Sequence, residues 1–141
     1  MATEAITGMG ATFAISDGAA TPVFTDVAEV VSISPPNRSR GTIDATHLGS
    51  PGGYGEFING LRDGGEVTIT VNHTEAGLAA LNAAYESDEN GDYRITYPNG
   101  ATWEFSGPCT GLESGEIVGD DKITDSATFK VSGAPIFTPG A

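Results

Sequence analysis

Gly41 to Asn72 reads GTIDATHLGSPGGYGEFINGLRDGGEVTITVN. Its last third decides the fold. Val67, Ile69 and Val71 alternate with Glu66, Thr68, Thr70 and Asn72, the period-2 pattern of a strand with one dry and one wet face. Asp63-Gly64-Gly65 before it is a turn signal. Upstream, the strand-like segment Thr42–Thr46 runs into a glycine-studded loop that closes on Phe57, Ile58 and Leu61. A loop of roughly fifteen residues is long against the usual ~4–6, and long loops are kept for binding or left disordered. Tyr54, Phe57, Ile58 and Leu61 make this one too apolar for a floppy linker.

Outward from this stretch the pattern stays β-rich. Thr12–Ser16 reads as a short strand with Phe13 and Ile15 on one face. Val23–Ser34 is β-branched, its second half a strand stopped by Pro35-Pro36. After Asn72 the period changes. Leu78, Leu81, Ala84 and Tyr85 recur at helical spacing, which predicts one helix over 74–87, capped by Thr74 or by Asn72 with Glu75. Tyr93–Tyr97 and Thr102–Ser106 flank Pro98-Asn99-Gly100-Ala101, a strong hairpin signal, and the return strand is expected to continue through Cys109 to Leu112. Ile123–Val131 is the last expected strand. Residues 1–11 are expected to form an N-terminal arm and residues 133–141 a C-terminal tail. The fold class is mainly β, a β-rich α+β domain. About seven antiparallel strands form a β-sandwich or partly open barrel with one flanking helix, all within a single domain over 1–141.

Composition excludes whole classes of function. With 6 basic and 19 acidic residues the net charge is −13. Nucleic-acid affinity comes mainly from Lys and Arg neutralising phosphates, and this chain has no basic stripe to supply it. Two of the six basic residues, Arg38 and Arg40, stand together and are candidates for a salt-bridging contact. One cysteine, Cys109, forbids an internal disulfide and reads as a small buried residue. The N-terminus lacks the basic and apolar regions of a signal peptide, and no apolar run approaches the ~20 residues of a membrane helix. Synthesis in a cytoplasm is the expectation.

Constellations that could carry chemistry are weak. Asp88, Asn90 and Asp92 alternate as calcium ligands do, but the glycine and terminal Glu of a calcium loop are missing, and a turn is the simpler reading. Asp120, Asp121 and Asp125 read as a solvated loop. His47 and His73 each stand alone among small polar residues. No nucleophile, phosphate-loop or zinc motif occurs, so no cofactor, metal or catalytic residue is expected. What remains is a compact β domain with a long semi-apolar loop and loose termini, the parts of a self-assembling subunit.

Ile43-Asp44-Ala45-Thr46, Ser50-Pro51-Gly52 and Glu56–Glu66 (EFINGLRDGGE) resemble the major tail tube proteins of long-tailed phages. Gly100–Gly107 (GATWEFSG) and Phe129–Pro135 (FKVSGAP) are similar to that family's second half, so the resemblance spans about 25–135. Phage-like gene transfer agents carry related tubes. The resemblance implies a structural virion protein, made in the bacterial host cytoplasm, whose six-fold rings stack into a hollow tail tube for DNA delivery. One sheet of each subunit joins a continuous barrel around the lumen, with the helix outside. Tail-tip or baseplate and terminator proteins are implied partners, DNA passes without specific binding, and no membrane binding is expected. The 47–61 loop, with His47, Leu48, Ser50, Pro51, Tyr54, Glu56, Phe57, Ile58 and Leu61, is expected to contact other subunits. Glu66 and Glu104 are the candidate acids for the lumen wall. The alternative is a carbohydrate-binding module or virion adhesin that stacks sugars on Trp103, Tyr93 and Tyr97.

Overall fold

The computed structural model describes residues 3, 5–18, 21 and 23–140. Its elements are β1 (Thr12–Ser16), β2 (Phe24–Asp26), β3 (Val30–Ser34), β4 (Ser39–Asp44), β5 (Phe57–Asp63), β6 (Glu66–Asn72), α1 (Glu75–Glu86), β7 (Gly91–Thr96), β8 (Thr102–Gly107), β9 (Cys109–Ser114), β10 (Thr124–Lys130) and β11 (Ser132–Thr138). Every strand pair is antiparallel. A five-stranded sheet has the order β11-β8-β7-β1-β2, and a four-stranded sheet has the order β3-β6-β10-β9. Among the described residues, β4 and β5 pair only with each other.

The two larger sheets face one another because their alternating side chains demand it. Val67, Ile69 and Val71 of β6, with Ala127 and Phe129 of β10, meet Phe13, Tyr93, Ile95 and Phe105 of the opposite sheet. Phe129 is 0% exposed and packs 4.4 Å from the Tyr93 ring and 5.4 Å from the Phe13 ring, measured between centroids. Burial pushes the Tyr93 hydroxyl up to about 12. Fully burying one such side chain contributes ~1.5–3 kcal/mol, so this aromatic group is the centre of the core.

The helix runs Glu75–Glu86, and the Thr74 hydroxyl accepts from the Gly77 N–H at 3.0 Å. Gly77 and Leu81 are its buried positions, and Tyr85, which shares their helical spacing, stays about half exposed. The helix lies on β9, where Leu112 packs against the core.

Three expectations need correction. The strands number eleven among the described residues: the loop contributes β5, the tail β11, the first half of 23–34 the short β2, and the strand expected to run from Thr102 to Leu112 is two, β8 and β9. Residues 132–138, read as a tail, form β11 on the edge of the five-stranded sheet. Both faces of β11 are exposed, with only Pro135 partly covered, so no burial imposed alternation and the sequence carried no period. The strand after the Asn-Gly turn does not run on to Leu112. It ends at Gly107, and the chain crosses to the other sheet at Pro108. Gly107 is needed there, since a Cβ would lie 1.8 Å from the Lys130 carbonyl oxygen.

Candidate functional site

The β4–β5 ribbon and its connecting loop stand apart from the sandwich. All six residues of β4 are exposed, and β5 has only Gly60 partly covered. Ile43 lies opposite Ile58, and Asp44 lies opposite Phe57. Adjacent residues of a strand point to opposite faces, so Ile58 and Phe57 place exposed apolar surface on both sides of the ribbon. Leu61 is 92% exposed, and Leu48 and Tyr54 are also exposed. Phe57, Ile58 and Leu61 therefore sit on a strand, which shortens the irregular loop to 45–56.

That loop is held by a polar hub that spacing alone did not reveal. The Thr46 hydroxyl accepts from the Glu56 N–H at 2.8 Å, and the Ser50 hydroxyl donates to Glu56 Oε2 at 2.7 Å. His47 Nδ1 accepts from the Gly49 N–H at 3.1 Å, which leaves the ring proton on Nε2, 3.3 Å from Glu56 Oε2. Pro51–Gly53 forms a single 3-10 turn. The polar residues of the loop bind one another, and the apolar ones point out.

At the base of the ribbon lies a groove lined by Arg38, Arg40, Leu61, Arg62, Val131 and Pro135 among others. Arg40 and Arg62 are opposite each other in register. Among the described residues no carboxylate lies within ion-pair distance of either, and none pairs with Arg38. The Arg38 guanidinium instead covers the Trp103 ring at 4.9 Å. Among the described residues, neither Arg38 nor Arg40 forms a salt bridge. Asp63 closes the base. Its carboxylate accepts from Lys130 Nζ at 2.8 Å and from the Gly65 N–H at 2.8 Å, and the Lys130 hydrogen bond holds it below the usual carboxylate range. Gly65 itself has φ +78° and no room for a Cβ, which would lie 2.0 Å from the Asn37 carbonyl oxygen.

The two candidate wall acids are not brought together. Glu66 is exposed on the outer side of the four-stranded sheet. Glu104 is on the outer side of the five-stranded sheet, with Arg94 Nε 3.9 Å away. The sheets face each other, so these outer sides look in opposite directions and a wall built from one sheet takes only one of them. The outer side of the four-stranded sheet carries Ser32, Ser34, Thr68, Thr70, Ser126 and Thr128, in register with one another. Glu113 lies opposite Ser126 on the same side.

The sugar-stacking platform is not assembled. Tyr93 is in the core, while the Trp103 indole N–H donates to the Tyr97 hydroxyl at 3.1 Å and its ring packs on Phe137. Two histidine and aspartate readings also change. His73 Nδ1 is 2.8 Å from Asp125 Oδ2, and Asp125 is 1% exposed on β10 rather than in a solvated loop. Its phase on β10, alternating with Thr124 and Ser126, was the available signal. Cys109 is buried, and burial raises its thiol. Asp92 accepts from the Ser106 hydroxyl across β7 and β8. Among the described residues, no three His, Cys, Asp or Glu side chains gather as metal ligands.

A family model described as lambda phage tail tube protein matches residues 6–138. The fold is similar to that of solved tail and injection-system chains. One comes from the virion of a native gene transfer agent particle, at 16% identity and TM-score 0.75, covering 96% of this chain and 100% of that one. Another comes from the sheath/tube terminator of an extracellular contractile injection system in its extended state, at 16% identity and TM-score 0.74, covering 99% and 100%. A third comes from the baseplate of the anti-feeding prophage, at 8% identity and TM-score 0.69, covering 98% and 97%. No curated protein sequence matches the chain. The match over 6–138 places it: the chain belongs to the lambda phage tail tube protein family.

Proposed function

We propose that six copies of this tail tube protein join through the edges of the four-stranded sheet, and that the rings stack into a virion tube through which DNA passes. The observation that carries this reading is the four-stranded sheet itself. Its two edges, β3 and β9, are strands of five and six residues with no partner on their outer sides among the described residues. Unpaired edges are templates for another chain. The five-stranded sheet offers poorer edges: β2 has three residues, and β11 contains Pro135 and an irregular register.

The outer face of the four-stranded sheet also has the chemistry of a conduit. Its serine and threonine hydroxyls keep water at the wall. Glu66 and Glu113 repel phosphate. Lys130, the cation on this face, is held by Asp63. A wall that offered even one phosphate contact per subunit would multiply it over every ring, because counterion-release terms accumulate. The β4–β5 ribbon, with apolar surface on both faces, is the part that reaches other subunits, and tail-tip and terminator proteins cap the tube ends.

The test is electron microscopy of purified protein with its tail-tip complex, followed by delivery assays. Wild type should form hollow tubes. Glu66→Lys with Glu113→Lys should still form them while DNA delivery falls by about tenfold or more, as the added cations hold phosphate in every ring. Full delivery through such tubes would remove the four-stranded sheet from the lumen wall.

A further inference from the structure

The groove at the base of the ribbon holds three of the chain's six basic residues in a molecule of net charge −13. Arg40 and Arg62 are directly opposed on a two-stranded ribbon, an arrangement that repels within the monomer. No carboxylate of the described residues lies within ion-pair distance of either, and Asp63, which also lines the groove, is paired with Lys130. Beside these charges Leu61, Val131 and Pro135 line the groove with apolar surface. An occupant should therefore be acidic with an apolar tip.

The chain itself has such a segment. Between β9 and β10, residues 115–123 read GEIVGDDKI. Ile117 is 81% exposed and Val118 is partly exposed, with Glu116 before them and Asp120 and Asp121 after. The topology puts this loop at the end of the four-stranded sheet where Thr124 pairs with Asn72, and the groove at the end where Lys130 pairs with Glu66. The seven residues of β10 separate them by ~20 Å, so the loop cannot fold back into its own groove. Glu86, Asp88, Glu89 and Asp92 make a second acidic segment. It leads into β7, whose Gly91 pairs with Gly107 at the groove end of the sheet, and it lacks apolar side chains.

We propose that the groove of Arg38, Arg40 and Arg62 seats the 116–121 loop of a second copy of this chain, head to tail. Complementary surfaces at opposite ends of a subunit make a heterologous contact, which propagates into a stack rather than closing as a dimer. The contact rests on the tube reading, because it joins one ring to the next. It weakens with salt, as contacts between exposed charges do.

The test compares three variants expressed with the tail-tip complex. Arg40→Glu with Arg62→Glu, and Asp120→Lys with Asp121→Lys, should each lower tube yield by about tenfold or more, and the chain carrying all four changes should recover most of it. Wild-type yields from both double variants, or a four-fold variant no better than either, would overturn the contact and leave the tube reading standing. Absence of tubes from wild type under the same conditions would remove the tube reading and the contact with it. Should a variant not fold, tubes co-assembled from Leu61→Cys and tagged Ile117→Cys chains still decide the matter. Oxidation should give the mixed dimer in excess over either same-variant dimer, and its absence overturns the proposal. A DNA oligonucleotide retained by wild-type monomer and released by Arg40→Glu with Arg62→Glu would give the groove to phosphate and likewise overturn it.

Discussion

The sandwich and the β4–β5 ribbon are made from the same kinds of residue and end in opposite states. Phe129, Ile69 and Val67 are 0% exposed between two sheets, whereas Phe57, Ile58 and Leu61 lie open to solvent on a ribbon that no third strand joins. An isolated two-stranded hairpin is marginal in water. This one is braced at its tip by the Glu56 hub and at its base by the Asp63–Lys130 pair. The polar bonds give it a shape, and its apolar side chains stay exposed. The difference teaches that the apolar side chains that hold the monomer together and those left exposed are carried by separate parts of the chain, and the proposed assembly contacts fall on the second.

The strongest way to break that division is Phe129→Ala. It removes the ring that touches Tyr93, Phe13 and Phe105, and should lower the unfolding free energy by about 3–5 kcal/mol in urea titration. Tubes would be lost with the fold. A cost below about 1 kcal/mol would show that the core is not centred on these rings.

His73→Ala sharpens the comparison at an intermediate scale. Asp125 is buried with Oδ1 unpartnered, and His73 is the side chain that satisfies Oδ2. Removing the imidazole leaves a buried carboxyl group without that bond, which should cost about 1–3 kcal/mol in the same titration. The His73→Ala, Asp125→Asn double variant should recover part of this if the pair acts as a unit. Equal losses from both chains would mean that the loss lies in the helix entry beside His73 rather than in the bond.

The sequence made the sandwich legible wherever one face of an element is buried. β6, β10 and the β7–β8 hairpin alternate because burial selects every second residue, and α1 shows its turn-by-turn stripe for the same reason. It was less legible where burial is absent. β11 and β5 are each exposed on both faces, so neither alternates and both were read as irregular. The expected assembly residues from His47 to Leu61 do fall together on the ribbon and its tip, since a contiguous stretch needs no long-range pairing to be found. The wall acids were harder. Choosing Glu66 and Glu104 required knowing which sheet each strand joins, and strand order depends on pairings far apart in the chain. The pairing of His73 with Asp125, 52 residues on, was hidden for the same reason.

The smallest effect on the monomer should come from the ribbon, and it is the most informative for the comparison. Ile58→Ser with Leu61→Ser changes two exposed side chains, and deletion of 50–55 removes the loop segment between His47 and Glu56. Neither touches the core, so the urea midpoint should move by no more than about 0.5 kcal/mol equivalent. Polymerisation with the tail-tip complex should nevertheless fail, because these are the apolar surfaces that neighbouring subunits would bury. In the sandwich a lost apolar contact appears as lost stability; in the ribbon it should appear only as lost association. Normal tubes from either variant would show that the exposed apolar surface of the ribbon serves no contact. A monomer that unfolds more easily by several kcal/mol would show that the ribbon belongs to the folding unit after all. A folded monomer that no longer polymerises is the one result that separates the two regions in both respects.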